Sequence, residues 1–248
     1  MKLLVCVSKT PDTTTKINFI SDAKEFDTNG VQYIMNPYDE WYALVRALEL
    51  KEAQGGSVTM INVGPAANDP IIRKGLAIGA DDAVRINTNG EPQSALYVAK
   101  QIAEYAKSEG FDIIFLGKET IDYNGSEVGA MLAELLDLPF ISYASKMEMN
   151  GNAATIARDI EGGTEVIEVE TPFVISAAKG LAEQRIANMK GIMMAKSKPL
   201  KVVEPIAFED LSVVAQYQLP KPKSAVKLIE PDNMDELVRL LHEEAKVI

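Results

Sequence analysis

The sequence predicts a doubly wound α/β protein with a mostly parallel sheet and a C-terminal arm. Three observations predict it. The chain has 248 residues, 47% of them hydrophobic and only 6% aromatic, the make-up of a layered protein with a large aliphatic core. Its first 130 residues or so alternate short apolar runs with amphipathic stretches. Those apolar runs lack polar alternation, which marks strands covered on both faces.

Leu3 to Val7 reads as the first buried strand. Trp41, Leu44, Val45 and Leu48 share one face at helical spacing, so a helix is expected from about Trp41 to Ala53. Asn36 is placed to cap it, Pro37 suits its first turn, and Asp39 and Glu40 complement its dipole. Val58 to Val63 is the next strand, and Asp69-Pro70 opens a helix to about Ile78. Ala83 to Ile86 is a short strand, and Ser94 to Lys107 a helix that turns Ala99, Ile102 and Ala106 inward. Ile113 to Leu116 is wholly apolar and ends at Gly117; a helix follows over Ala130 to Leu136. Alternating strands and helices with right-handed crossovers give a Rossmann-like layer. Ligands in such sheets bind at the carboxyl ends of strands, near the topological switch point. The loops after Val7, Val63 and Leu116 are therefore the ones to examine.

The second half reads differently. Ser145 to Met149 and Thr155 to Arg158, around Asn150-Gly151-Asn152, predict a hairpin. Thr164 to Glu170 alternates like a strand with one wet face, and Pro172 to Ala177 is apolar again. Beyond Pro199 the chain is extended and punctuated by proline, and a last helix is expected from about Asn233 to Ala245, carrying Leu237, Leu240 and Leu241. Residues 1–225 are expected to form the domain, and 226–248 an arm that lies on a partner.

Charge and composition narrow the chemistry. A net charge of -11 repels nucleic acid and anionic membrane. No stretch approaches the roughly 18 apolar residues of a membrane span, and neither a signal peptide nor an Arg-rich transit peptide is read at the start. A cytoplasmic protein that is not membrane-embedded is expected. One cysteine and one histidine leave no disulfide, no Cys or multi-His metal site and no Cys–His nucleophile. Cys6 reads as a small core residue and His242 as an exposed one. Arg158-Asp159-Ile160-Glu161-Gly162-Gly163 reads as a turn with solvated acids rather than as paired catalytic carboxylates.

Two segments stand out. Gly117 to Gly129 follows a strand and leads into a helix, whose free backbone N–H groups make an anion cradle; Lys118, Thr120, Asn124 and Ser126 add donors. It has neither Walker A nor G-x-G-x-x-G spacing, and read alone it is equally an ordinary connecting loop. Residues 179–201 hold Lys179, Arg185, Lys190, Lys196, Lys198 and Lys201 against one acid, Glu183. Within this basic island lie Met189, Ile192, Met193 and Met194, the flexible side chains that suit adaptable surfaces. No aromatic residues are interleaved, so a nucleic-acid face is not indicated.

Taken in order, Met35-Asn36-Pro37, Gly64-Pro65, Gly79-Ala80-Asp81, Leu116-Gly117-Lys118, Ile121-Asp122 and the Arg158 to Gly163 run before Pro172 resemble the beta subunit of electron transfer flavoproteins over essentially the whole chain. The resemblance implies an adenine-nucleotide-binding type of fold and an electron-carrier subunit without catalytic residues of its own. It implies an alpha subunit that carries most contacts to one redox-active FAD, and a structural AMP in this subunit. Electrons would come from acyl-CoA dehydrogenases of fatty acid β-oxidation and go on to a membrane quinone oxidoreductase. The AMP contacts map to Cys6, Asn36, Pro37, Tyr38, Asp39, Val63, Gly117, Lys118, Glu119, Thr120, Ile121, Asp122, Tyr123, Asn124, Gly125, Ser126, Glu127 and Val128. The dehydrogenase-gripping loop maps to about Ala182 to Lys198, with Arg185, Met189, Ile192 and Met193 as recognition residues and Met189 as the apolar anchor. Two alternatives stay open: a bifurcating subunit with a second FAD in place of AMP, and a nucleotide-binding stress or sensor protein.

Overall fold

The computed structural model describes residues 1–90, 94–223 and 225–248. In chain order the strands are β1 (Lys2–Cys6), β2 (Lys9–Pro11), β3 (Phe19–Ile20), β4 (Glu25–Phe26), β5 (Tyr33–Met35), β6 (Ser57–Gly64), β7 (Asp82–Asn87), β8 (Ile113–Gly117), β9 (Phe140–Asn150), β10 (Ala153–Ile160), β11 (Gly163–Glu170), β12 (Phe173–Ala177) and β13 (Leu200–Val203). The helices are α1 (Asp39–Gln54), α2 (Asp69–Ile78), α3 (Ala95–Glu109), α4 (Val128–Leu136), α5 (Met189–Ala195) and α6 (Met234–Arg239).

Nine strands form one sheet in the order β11-β10-β9-β12-β8-β1-β6-β7-β13. From β9 through β13 in that order every neighbouring pair is parallel, while β10 pairs antiparallel with both β9 and β11. The apolar runs fix which helix covers which face, because successive side chains point to opposite sides. Leu3, Val5, Ile113 and Phe115 join the core under α1 and α2. Leu4, Cys6, Ile114 and Leu116 join the second core under α3 and α4. This is the doubly wound, mostly parallel architecture expected from the sequence.

The topology places the site. Chain from β1 passes through α1 to β6 on one flank, and chain from β8 passes through α4 to β9 on the other. Because β1 and β8 are themselves paired, Val5 beside Phe115, the loops that leave them in opposite directions open a crevice at their carboxyl ends. Asn62, buried on β6, donates from Nδ2 to the Val7 carbonyl at 2.8 Å, and Val7 N–H donates to the Ile61 carbonyl at 2.9 Å. The end of β1 is thereby held.

The hairpin around Asn150-Gly151-Asn152 is present, with Gly151 at φ 66°. Its first strand begins five residues before the expected Ser145, because Phe140 and Ile141 also pair with Val174 and Ile175 of β12. β2 pairs with β5, and β3 with β4, outside the main sheet. Two- and three-residue strands leave no periodicity to read. After β13 no described residue is buried. α6 continues as a π-helix over Leu240–Ala245, in which Leu240 and Leu241 are half-buried and His242 is exposed. No helix among the described residues is long and apolar enough to cross a membrane.

The central strand should dominate stability. Phe115→Ala, at a fully buried position of β8, is expected to cost about 3–5 kcal/mol by urea denaturation. Val166→Thr, on the edge strand β11 and 66% exposed, is expected to stay within about 0.5 kcal/mol.

Candidate functional site

The crevice is built around the head of α1. Tyr38 precedes the helix with φ 64° and ψ -94°, a left-handed conformation unusual for a bulky residue. Asn36 was expected to cap α1, yet it does something else. Fully buried, it donates from Nδ2 to the Glu119 carbonyl at 3.0 Å and accepts from Ile121 N–H at 3.0 Å through Oδ1. A side chain that pairs both its amide groups with one backbone segment fixes that segment. Asn36 therefore sets the position of the loop after β8 rather than closing the helix.

Glu40 lies in the first turn of α1 and is buried. Ser8 N–H donates to its Oε2 and Ser8 Oγ to its Oε1, each at 2.7 Å. Burial pushes the Glu40 carboxyl up to about 8, against the two Ser8 bonds, while Asp122 and Asp39 repel its charge. Asp39 is pushed up to about 6 by burial and by Glu119, with Lys118 opposing. Burial also raises the Cys6 thiol, with Glu40 adding to it, so Cys6 is an inert core thiol. The helix head sits this close to β8 because residue 117 is glycine. A Cβ there would meet Glu40 Cγ at 2.9 Å and the Glu40 backbone nitrogen at 3.0 Å.

The loop from Lys118 to Glu127 closes the other side. Asn124 at φ 50° and Ser126 at φ 54° are left-handed, and so is Tyr143 at φ 57°, at a bulge in β9. Strained residues of this kind gather at functional sites. Lys118 pairs with Glu119 at 3.2 Å and lies 5.6 Å from the Tyr143 ring centroid. Ser126 Oγ donates to Glu119 Oε2 at 3.2 Å and is 3.4 Å from the Tyr143 hydroxyl. The first turn of α4 follows directly, starting at Val128.

Between these walls is an open cleft of about 260 Å³ lined by Pro37, Tyr38, Asp39, Tyr42, Lys118, Glu119, Ile121 and Lys179. Six of these were singled out from the sequence. Gly117 is buried, Thr120, Ser126 and Val128 are half-buried, and Asp122, Tyr123, Asn124, Gly125 and Glu127 are exposed; none of these lines the cleft. Cys6 and Val63 do not line the cleft; both belong to the core under α3 and α4. Sequence reasoning missed Tyr42, Tyr143 and the Ser8–Glu40 pair, and it read Lys179 with the basic island rather than with the cleft. Tyr42 was legible one turn after Tyr38, whereas a bulge at Tyr143 leaves no signal in the sequence.

Of the basic island, Lys179 lines the cleft, and two of the others are engaged elsewhere. Arg185 forms a bidentate pair with Glu52 at the end of α1. Lys198 donates to the Leu76 and Ala80 carbonyls at the end of α2. Arg73 donates to the Ala195 and Lys198 carbonyls, and Trp41 Nε1 to the Arg185 carbonyl. Between these clamps residues 189–195 form α5 rather than a plain loop, capped by Asn188 accepting from Gly191 N–H at 2.8 Å. Met189, Ile192, Met193 and Met194 stand exposed on it.

Fold and cleft together define a Rossmann-like α/β protein whose open cleft sits at the topological switch point. A family model described as the electron transfer flavoprotein domain matches residues 24–207. The electron transfer flavoprotein subunit beta of Bacillus subtilis is 38% identical, and the mitochondrial subunit beta of Oryza sativa subsp. indica 36%, each over the whole of both chains. The subunit beta of Bradyrhizobium diazoefficiens is 32% identical over the same full extent. The chain belongs to the electron transfer flavoprotein family, as one of its beta subunits.

The raised Glu40 makes a pH prediction. Its folded pKa lies above the unfolded 4.5, so between about pH 4.5 and 8 the native state holds a proton that the unfolded chain has lost. Stability therefore falls as pH rises through that window. Glu40→Gln, which keeps the neutral shape and the Ser8 contacts, is expected to flatten the fall above about pH 6, where Asp39 no longer contributes. Urea midpoints measured across the window test this; an unchanged slope would show that Glu40 is ionised in the fold.

Proposed function

We propose that this chain is the electron-carrier beta subunit of a heterodimer. It would pair with an electron transfer flavoprotein alpha subunit, hold a structural AMP, and help enclose an FAD carried mainly by that partner. The observation that carries the reading is the convergence of Pro37 to Asp39 with Lys118 to Ile121 at the switch-point cleft, in a chain that matches beta subunits end to end.

The donor chemistry favours a small phosphate at the head of α4. Lys118 is already paired with Glu119, and Asp39 also acts on its charge. The Asn124 N–H is taken by the Thr120 carbonyl at 2.9 Å, so the attraction for an anion would come from the backbone N–H groups of Gly125 to Val128, leading into the first turn of α4, where a helix has no internal acceptors. The cleft is open on one side and aromatic on part of its wall, Tyr38 and Tyr42. A larger flavin would need the alpha subunit to cover it. When bound, FAD supplies the redox chemistry; this chain's residues contribute walls, hydrogen-bond donors and exclusion of water.

The C-terminal residues fit a partner surface. Leu211, Val213, Val226, Leu228, Val247 and Ile248 are strongly exposed, and a lone folded chain seldom leaves so much apolar surface in water. Residues 226–248 would lie on the alpha subunit. The α5 segment would grip acyl-CoA dehydrogenases within the Ala182 to Lys198 stretch, with Arg185, Met189, Ile192 and Met193 in contact. Electrons would then pass by way of FAD to a membrane quinone oxidoreductase. The chain itself performs no catalysis in this reading and acts in the cytoplasm.

Two experiments test it. Nucleotide extracted from the purified heterodimer is expected to be one AMP and one FAD per pair; a second flavin with no AMP would replace this reading with the bifurcating one. Met189→Ala is expected to raise the apparent Michaelis constant for the flavoprotein in an acyl-CoA dehydrogenase assay roughly five- to thirtyfold, the range that 1–2 kcal/mol implies. Flavin content should not change. An unaltered Michaelis constant would remove α5 from the docking site.

A further inference from the structure

Sulfur is distributed unevenly over this molecule. Of the ten methionines in the sequence, Met35, Met60 and Met147 are sealed in the core, as is the single cysteine, Cys6. Met189, Met193 and Met194 are 74%, 70% and 49% exposed. All three belong to α5, a helix of seven residues. Outside it the only strongly exposed methionine among the described residues is Met234, in the C-terminal segment.

The helix that carries them is held in a fixed pose. Arg73 and Lys198 tie its far end to α2, Asn188 caps its start, and Arg185 and Trp41 fasten the chain that leads into it. Gly191 packs against the carbonyl of Ala77 with no room for a side chain. The thioethers therefore stay presented to solvent instead of folding back under the sheet. Met189 and Met193 are four residues apart and share one face.

We propose that Met189, Met193 and Met194 form an oxidation-sensitive modification site, where hydrogen peroxide makes sulfoxides before it reaches the buried sulfurs and thereby weakens dehydrogenase docking. In each event the thioether sulfur attacks one peroxide oxygen. An S–O bond forms as the O–O bond breaks; the sulfur loses two electrons, and the departing hydroxide takes up a proton and leaves as water. The product is a polar sulfoxide in place of a flexible apolar side chain, and methionine sulfoxide reductases reverse it. A polar group at the centre of an apolar anchor loses its hydration on docking without gaining a partner. The consequence for docking rests on the reading of α5 given above; the order of oxidation does not.

The test uses the intact heterodimer with its flavin, treated with graded hydrogen peroxide. Peptide mass mapping is expected to show sulfoxide at 189, 193 and 194 before 35, 60 and 147. The apparent Michaelis constant against an acyl-CoA dehydrogenase is expected to rise about tenfold, a loss of about 1.4 kcal/mol, and to recover on treatment with the two sulfoxide reductases. A variant carrying Met189→Leu, Met193→Leu and Met194→Leu is expected to show no further change on peroxide, whatever its starting value. Sulfoxide appearing at the buried positions as fast as on α5 would overturn the site. Complete oxidation of α5 with an unchanged Michaelis constant would overturn the switch. In that case a loss of docking in Met189→Ala still supports the docking helix, and no loss in either removes both readings.

Discussion

The close approach of α1 to the end of β8 is the constraint on which the site depends. Gly117 lacks a side chain, so the backbone of Glu40 can come against it. That contact buries the Glu40 carboxyl, and burial obliges it to find donors; Ser8 supplies two. The loop after β1, the head of α1 and the end of β8 are thereby drawn into one cluster. Asn36 then fastens the next loop to the same cluster through Glu119 and Ile121. A buried polar group that is fully paired specifies a single arrangement, and this one specifies where three loops meet.

That arrangement leaves the charges of the cleft in tension. Burial makes both α1 carboxyls hold their protons more tightly, with Glu119 adding to the effect at Asp39 and Asp122 and Asp39 adding to it at Glu40. Lys118 relieves part of the repulsion by pairing with Glu119. The site is consequently less negative than its residue list suggests. A residue list likewise overstates the basic island: Arg185 is spent on Glu52 and Lys198 on the carbonyls at the end of α2, while Lys190 and Lys196 stay exposed beside the methionines.

Much of this was legible in the sequence, for identifiable reasons. Wholly apolar runs such as Ile113 to Leu116 announced strands buried on both faces, and the helical spacing of Leu44 and Leu48 announced α1. Once those alternate, topology alone brings the ends of β1 and β8 together, so the loops after Val7 and Leu116 could be placed at one mouth, and the resemblance added Pro37 to Asp39. What stayed hidden involves contacts between residues far apart in the chain. Asn36 has the local signature of a cap, and only the fold brings Glu119 and Ile121 within its reach. Lys198 looks like a docking charge until α2 is seen ending beside it. The bulge at Tyr143 arises from a register shift between β9 and β12, which local sequence does not encode. The resemblance placed Cys6 and Val63 among the nucleotide contacts; the parity of their strands turns both side chains into the core under α3 and α4, which leaves their backbone as what they can offer a ligand.

The molecule divides its rigidity accordingly. A parallel sheet buried on both faces holds the cleft, because its backbone bonds and two aliphatic cores leave little freedom at the strand ends. Beyond Val203 no described residue is buried, and many apolar groups stay in solvent. α5 belongs to neither regime. It is outside the sheet layers, yet four side chains clamp its ends to helices α1 and α2 that themselves cover the sheet. Its exposed methionines can adapt at the level of rotamers while the helix beneath them stays fixed. Preorganised backbone with adaptable side chains lowers the ordering cost of each encounter without demanding one partner shape. On the proposal that α5 docks partners in turn, both properties are needed, and in this chain they are supplied by different parts of the same seven residues.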